Sequence, residues 1–392
     1  MREQVFVISA KRTPFGSLNG MFSEIEASQL GAAAIKGALT AAGIDGSVVD
    51  EVIIGQVLSG ACGQAPARQA MRAAGILDSA HALTINKVCG SGLKAVMLGA
   101  DSIMLGESSV VVAGGMESMS MAPYFLRKAR SGYRMGHSEL FDLMIYDGLQ
   151  DPYTGRHMGE IGEESAAAGN ITREAQDAFA VRSYERAQAA VKGGVFADEI
   201  EPVVKKGKKG VEIFDTDEEP FRGDTSKLSQ LRPAFKKDGT ITAGNASTIS
   251  DGAAMLVLAG ESAVKAHGLV PRARILGSAT ESRHPDNFPE APIQSIEKAC
   301  KRAGLSVSDI DLFEINEAFS TVPLLAINAL GLSLEKVNVN GGACAIGHPI
   351  GASGARLAVT LLNELHRRGK RYGVASLCIG GGEAVAVIFE RI

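Results

Sequence analysis

Ala42-Gly43-Ile44, followed by Val48-Val49-Asp50-Glu51-Val52-Ile53-Ile54, decides the fold because its pattern returns in the second half of the chain. The second copy is Ala303-Gly304-Leu305 followed by Val307-Ser308-Asp309-Ile310-Asp311-Leu312-Phe313-Glu314-Ile315, an offset of 261 (303 − 42). In both places a helical pattern stops at a glycine, and an apolar run of strand length follows. Working outward, residues 5–9 read as a buried strand, 28–42 as a helix closed by Gly43, and 52–55 as a strand. Residues 65–74 read as a helix closed by Gly75, 83–88 as a strand that delivers Cys89, 92–105 as a helix, and 110–113 as an apolar strand stopped by Gly114-Gly115. At the same offset Gly55-Gln56 falls on Asn316-Glu317. The strand ending at Gly114-Gly115 falls near 374–381, and Cys89 with its helix falls near His348 with its helix. Alternating strands and helices predict an α/β sheet with helices on its faces, built twice. Residues 119–243 differ: charge clusters, many turn residues and one clear helix, 173–192, opened by Thr172. They read as an inserted lobe, after which 245–259 return to the first half. The Lys205 to Lys209 cluster reads as a solvated loop.

At 392 residues the chain exceeds what one core comfortably serves. Its 40 Lys+Arg against 44 Asp+Glu argue against nucleic acid as the main partner, which needs a cationic face. Cysteines 62, 89, 300, 344 and 378 form no CxxC pair, so zinc and disulfide-exchange motifs are not expected. A reducing compartment suits them. Residues 1–6 lead into a strand pattern with no secretory or transit character, and no apolar run reaches the length of a membrane span. The expectation is a cytoplasmic protein.

Three glycine-rich turns carry the chemistry. The first, Asn340-Gly341-Gly342-Ala343-Cys344-Ala345-Ile346-Gly347-His348-Pro349-Ile350-Gly351-Ala352-Ser353-Gly354, holds one histidine and precedes a helical pattern at 355–365. The second, Val88-Cys89-Gly90-Ser91-Gly92, puts a thiol at a helix mouth. There free N–H groups and the helix dipole favour the thiolate. An unperturbed Cys is only about 3% ionised at neutral pH, so a pKa lowered by about 1.5 units would make it half ionised. Gly90 and Gly92 read as openings for a substrate, and His348 as the base. The third, Leu377-Cys378-Ile379-Gly380-Gly381-Gly382, fits either a core thiol or a second acid/base beside backbone oxyanion donors. Asn316, at a strand end, fits either a cap or a group orienting water or imidazole. Cys344, Cys62 and Cys300 read as packing residues, and no phosphate-loop pattern is present.

Taken with Gly114-Gly115-Met116-Glu117-Ser118-Met119-Ser120, Leu231-Arg232-Pro233-Ala234-Phe235, Ala243-Gly244-Asn245-Ala246-Ser247 and Asn316-Glu317-Ala318-Phe319, these turns resemble the thiolase family, in its acetyl-CoA C-acetyltransferase branch. The resemblance implies an α/β thiolase fold: duplicated βαβαβαββ halves in five αβαβα layers with a loop lobe. It divides the chain into a first half (1–119 and 244–268), a lobe for coenzyme A and oligomerisation (120–243) and a second half (269–392). It implies that Cys89 takes an acyl group with His348 as base. Cys378 then deprotonates acetyl-CoA, and the carbanion attacks the acyl-enzyme, giving acetoacetyl-CoA and CoA. Oxyanion sites would be His348 with a water on Asn316, and the N–H groups of Cys89 and Gly380. Ser247, Arg222, His157, Met158, Phe235, Ala243, Phe288, Ala318 and Phe319 would contact substrate and coenzyme A. No cofactor or metal is implied, and family members are usually homotetramers, with 124–139 resembling their tetramerisation loop. Asn287-Phe288-Pro289 resembles the mitochondrial-type branch, which implies tolerance of 2-methylacetoacetyl-CoA, while Pro220 stands about where that branch's potassium site has a Tyr. A degradative thiolase of broad chain length, a non-catalytic acyl-binding relative and a carrier-protein condensing enzyme are the competing readings.

Overall fold

Apolar strand runs bounded by glycine-capped helices build the frame. The computed structural model describes residues 3–207 and 210–392. Lys208 and Lys209 of the basic cluster, and Met1 and Arg2, lie outside the described residues.

The first half comprises β1 (Val5–Arg12), α1 (Ala27–Ala42), β2 (Glu51–Gly55), α2 (Pro66–Ala74), β3 (His81–Ile85), α3 (Ser91–Leu105), β4 (Val110–Ser118) and, after the lobe, β5 (Ser250–Gly260). The short helix α6 (Glu261–His267) follows the lobe helices α4 (Met158–Ala168) and α5 (Arg173–Lys192) in chain order. The second half comprises β6 (Ala273–Ser282), α7 (Ala291–Ala303), β7 (Leu312–Ile315), α8 (Thr321–Leu330), α9 (Ala343–Ile346), α10 (Ile350–Arg367), β8 (Tyr372–Ile379) and β9 (Glu383–Arg391). The strands run in the order β7-β8-β9-β6-β1-β5-β4-β2-β3, with Gly16–Ser17 added to β5. Each half repeats one pattern: antiparallel β1/β5/β4 then parallel β4/β2/β3, against antiparallel β6/β9/β8 then parallel β8/β7. The counterpart of β3 shrinks to one parallel bridge, Phe313 to Val337. The halves meet at β1 and β6 through two residue pairs, Phe6–Arg274 and Val7–Ala273.

Burial sorts into layers. One apolar cluster joins α3 and α10 to the inner faces of both halves of the sheet, with Leu93, Val96, Leu357 and Leu361 among Ile53, Leu256, Leu377 and Phe389. A second packs α1 and α2 on the outside of the first half, and a third packs α7 and α8 on the outside of the second. That is helix, sheet, helix, sheet, helix. Residues 88–105, 18 residues at a mean hydropathy of 1.3, are long and apolar enough to cross a membrane, contrary to the sequence expectation. Here the run includes the central helix α3, where high hydropathy reflects contact with protein on both sides.

Several local expectations change. The strand read as 110–113 continues through Gly114-Gly115 to Ser118, because these glycines admit neighbouring backbone rather than ending pairing. A Cβ on Gly115 would stand 2.0 Å from the Gly351 carbonyl oxygen. Strand β3 ends at Ile85, so a turn, not a strand, delivers Cys89. Helix α10 begins at Ile350, earlier than 355. The lobe has two long helices, α4 as well as the expected α5, whose Thr172 hydroxyl accepts from Ala175 N–H at 3.2 Å. Lys205 belongs to a strand, Val203–Gly207, paired with Gly210–Phe214. Buried Arg12 ties the lobe to β1, bonding Glu199 and Asp217 at 2.6 Å each. Removing one partner of such a pair strands a charge indoors.

Candidate active site

A cleft of about 550 Å³ opens where the lobe covers the second half's turns. It is lined mainly by apolar side chains, and Cys89, His348 and Gly380 are among its lining residues.

Cys89 sits on a tight turn just before the first residue of α3. Val88 is held at φ 46°, a left-handed conformation that a β-branched residue adopts only under strain, on the order of 1–3 kcal/mol. Asn86 Oδ1 accepts from Val88 N–H at 2.9 Å, Ser91 Oγ accepts from Lys87 N–H at 2.8 Å, and Ser91 Oγ donates to the Val88 carbonyl at 2.7 Å. These bonds hold the strained turn. Gly90 and Gly92 serve packing rather than substrate entry. A Cβ on Gly90 would lie 2.4 Å from Ile379 Cδ1, and one on Gly92 would lie 2.8 Å from the Gly351 carbonyl. The backbone N–H groups of Gly380 and of Cys89 itself favour the thiolate, but burial outweighs them and pushes the thiol up to about 11. The expected lowering is therefore reversed: desolvation of a lone anion exceeds what two N–H groups return.

His348 N–H donates to the Thr248 carbonyl at 3.0 Å, which pins the turn. Burial, with the Arg356 charge second, holds the imidazole down at about 3, so it rests neutral. Its tautomer follows from its neighbours. We assign the single Ser353 Oγ proton to the Pro349 carbonyl, 2.8 Å away and able only to accept, which leaves Oγ as the acceptor for His348 Nδ1 at 2.5 Å. That puts the proton on Nδ1 and leaves Nε2 with its lone pair free. Asn316 Nδ2 stands 3.5 Å from both ring nitrogens, too long for a strong bond, and its Oδ1 is buried without a partner. A thiol-to-imidazole proton transfer creates two opposite charges that stabilise each other, so the cost that burial sets on each alone is partly recovered in the pair.

Cys378 lies near the end of β8 and is fully buried, two residues before Gly380, which lines the cleft. Burial first, then charge on Cys89, push its thiol well above the ordinary range, which places the two sulfurs within electrostatic reach of each other. Asn316 is fully buried as well. Its neighbour Glu317 accepts from Ser183 Oγ of α5 at 2.7 Å, from Asn338 Nδ2 at 2.8 Å and from Cys344 N–H at 3.0 Å, so this strand end is fastened to the lobe.

His157, Met158, Arg222, Phe235, Ala243, Ser247, Phe288, Ala318 and Phe319 all line the cleft. Four rings form one wall: His157 stacks on Phe235 at 4.8 Å, Phe319 meets Phe235 edge-on at 5.9 Å, and Phe288 meets Phe319 at 6.5 Å. Arg222, with about half its side chain exposed, stands 3.4 Å from Glu218 and 4.0 Å from Glu219. Sequence reasoning missed Leu18, Met119, Leu149, Ile249 and Ile350, which complete the apolar lining from separate segments. Among the described residues no group of three or more His, Cys, Asp or Glu is placed to hold a metal ion.

The nucleophile turn also locates the internal repeat. Val339 and Gly341 form the same three-residue bridge as Lys87 and Cys89. The offset is 252 at the turn (341 − 89) but 259 at the following helix (350 − 91), so the second half carries seven additional residues there. His348 sits in that insertion and is no counterpart of Cys89.

Comparison with known proteins bears on this geometry. The description "Thiolase, N-terminal domain" matches residues 5–262, and "Thiolase, C-terminal domain" matches 269–391. The chain is 49% identical over 391 residues to a Pseudomonas aeruginosa protein named acetyl-CoA acetyltransferase, covering 99% of this chain and 100% of that one. It is 50% identical over 392 residues to acetyl-CoA acetyltransferase 2 of Arabidopsis thaliana, covering 99% and 97%. The crystal structure of the Bacillus anthracis acetyl-CoA acetyltransferase superposes with a TM-score of 0.97 at 41% identity, over 100% of this chain and 99% of that one.

Proposed function

The chain belongs to the thiolase family and is an acetyl-CoA C-acetyltransferase, and on that premise we propose which of its groups perform each step. His348 Nε2 takes the Cys89 proton, and the sulfur attacks the acetyl-CoA thioester. The carbon–sulfur bond to coenzyme A breaks, and the departing thiolate receives the proton from His348. The N–H groups of Cys89 and Gly380, which favour the thiolate at rest, would serve the carbonyl oxygen once the sulfur is acylated. Acetylation also removes the Cys89 charge that opposes ionisation of Cys378. Cys378 then takes an α-proton from a second acetyl-CoA, and the carbanion attacks the acetyl carbon. The bond to Cys89 breaks, and the released Cys89 thiolate is left negative as Cys378 holds the α-proton. That proton passes from Cys378 to Cys89, and acetoacetyl-CoA leaves. His348 and a water on the unpartnered Asn316 Oδ1 would hold the enolate oxygen.

One observation carries this reading: Cys89 from the first half lines the same cleft as His348 and Gly380 from the second, and Gly380 is two residues beyond Cys378. The test is acetoacetyl-CoA thiolysis by wild type, Cys89→Ala and Cys378→Ala. Both variants lose most activity, but only Cys378→Ala accumulates acetylated protein. Equal acetylation of the two variants would refute the division of labour.

The apolar wall with Phe288 supports a wider substrate range that includes 2-methylacetoacetyl-CoA. Absence of any thiolysis of that thioester, beside normal acetoacetyl-CoA turnover, would sink this extension. A homotetramer is supported by exposed Tyr124, Leu126, Tyr133 and Leu140, with Met135 99% exposed, beside the small hairpin Tyr124–Phe125 with Phe141–Asp142. Sedimentation of a dimer or monomer at micromolar concentration would overturn it.

A further inference from the structure

Glu117 sits in a quoted motif, Gly114 to Ser120, yet takes no part in the chemistry above. It lies near the end of β4 and is fully buried. Its carboxylate accepts three backbone N–H groups. Oε2 takes Val57 at 3.0 Å and Gly351 at 2.9 Å, and Oε1 takes Leu58 at 3.1 Å. These donors come from the two halves. Val57 and Leu58 follow β2 and pack in one apolar cluster with Val88, Cys89 and Met119. Gly351 is the second residue of α10, three past His348. No side chain intervenes: a Cβ on Gly351 would stand 2.7 Å from Glu117 Oε2 and 2.9 Å from the Met116 carbonyl.

We propose that Glu117 is a positioning residue that sets the placement of His348 relative to Cys89, by holding the start of α10 and the wall beside the nucleophile on one carboxylate. The proposal rests on the roles assigned above to Cys89 and His348. An ionised carboxylate is acceptor-only, so it satisfies all three donors at once. It also lies at the positive end of the 18-residue helix α10, which favours its charge. Burial opposes that charge and pushes Glu117 up to about 7 against the pull of the three N–H groups. Asparagine or glutamine chemistry cannot replace it. A glutamine offers one acceptor oxygen, and its NH2 must face the Leu58 N–H or the Val57 and Gly351 pair.

Glu117→Gln and Glu117→Asp test this by thiolysis kinetics and by the rate of Cys89 alkylation with iodoacetamide, both at about pH 8, where the wild-type carboxylate is ionised. Misplacing a reacting group by about 1 Å costs roughly a hundredfold, so kcat of folded Glu117→Gln should fall about 10- to 100-fold, with KM within about threefold. Cys89 alkylation should slow at least about fivefold, because thiolate formation runs through His348. Glu117→Asp keeps the charge but shortens the reach, and should fall between wild type and Glu117→Gln. If Glu117→Gln does not fold, Glu117→Asp carries the same comparison. A folded variant with kcat within about twofold of wild type, or one whose kcat falls while Cys89 alkylation does not, overturns the proposal. Failure of the underlying reading is separate: it would show as retained turnover in Cys89→Ala or His348→Asn.

Discussion

Ser353→Ala removes one oxygen from the interior and should cost most of the base. The wild-type Oγ stands 2.5 Å from His348 Nδ1 and 2.8 Å from the Pro349 carbonyl that takes its own proton. That arrangement leaves it only as an acceptor and so selects the ring with Nδ1 protonated. Without Oγ, this tautomer loses a buried hydrogen bond of about 1–1.5 kcal/mol, and the Asn316 amide, 3.5 Å from both ring nitrogens, does not distinguish them. Since about 1.4 kcal/mol is tenfold in an equilibrium, the ratio of the Nδ1-protonated to the Nε2-protonated ring should fall roughly five- to tenfold, which lowers the fraction with a free Nε2 lone pair by up to that factor. Acetylation of Cys89 by acetyl-CoA, followed by rapid quench and intact mass, should slow by that factor. KM should change less than about twofold, because Ser353 is buried outside the cleft lining. Ser353→Cys, with a weak acceptor sulfur, should fall between the two. An acetylation rate in Ser353→Ala equal to wild type would refute the tautomer argument.

Three further outcomes follow from the geometry. The Lys87–Glu383 pair, 2.5 Å apart with 21% and 32% of each side chain exposed, joins the Cys89 turn to the turn after Cys378. Neutralising either residue should lower kcat/KM about two- to fivefold, with partial recovery in the charge-swapped double variant, as fits a half-exposed pair of about 0.5–1 kcal/mol. His348 has its folded pKa depressed to about 3 by burial, so the unfolded chain binds a proton that the folded chain refuses between about pH 6.5 and 3. Stability from this group is therefore full above about pH 6.5 and lost as pH falls through that window. His348→Asn should show a shallower loss of thermal stability from pH 7 to pH 4 than wild type, and parallel curves would contradict it. Gly159→Ala would put a methyl 2.3 Å from the Phe235 ring, so the aromatic wall must shift. KM for acetoacetyl-CoA should rise several-fold with little change in the rate of Cys89 acetylation, and an unchanged KM would show that this wall does not contact substrate.

What the sequence disclosed depends on whether its signal was local. Gly43, Gly75 and Gly304 sit at φ 69°, 92° and 71°, left-handed caps whose preference is written in the residue type, and all three helix ends were legible. Thr172 capped α5 for the same local reason. Helix α4 escaped because Gly159 and Gly162 lower its propensity, and they are required by Phe235 and Phe319 from distant segments. The early start of α10 was hidden likewise by Gly351 and Gly354, which rest on Glu117 and Leu93. Cys89, His348 and Cys378 stood out because each lies in a glycine-dense turn. The direction of the Cys89 shift did not, because burial is a property of the whole fold. Leu18, Leu149 and Ile249 reach the cleft from loops that carry no motif, and the pairing of Arg222 with Glu218 and Glu219 could be judged only once their turn was built.

The two halves of the sheet are stitched by two residue pairs, and the sulfur and its base stand on opposite sides of that seam. A ribosome releases the chain amino end first, so every strand of the first half has emerged by Gly260 while His348 is still to be added. The growing polypeptide therefore presents a thiol with no base to arm it. Premature termination anywhere before that histidine should yield a product unable to acylate itself, so that abundant cellular thioesters do not modify unfinished copies.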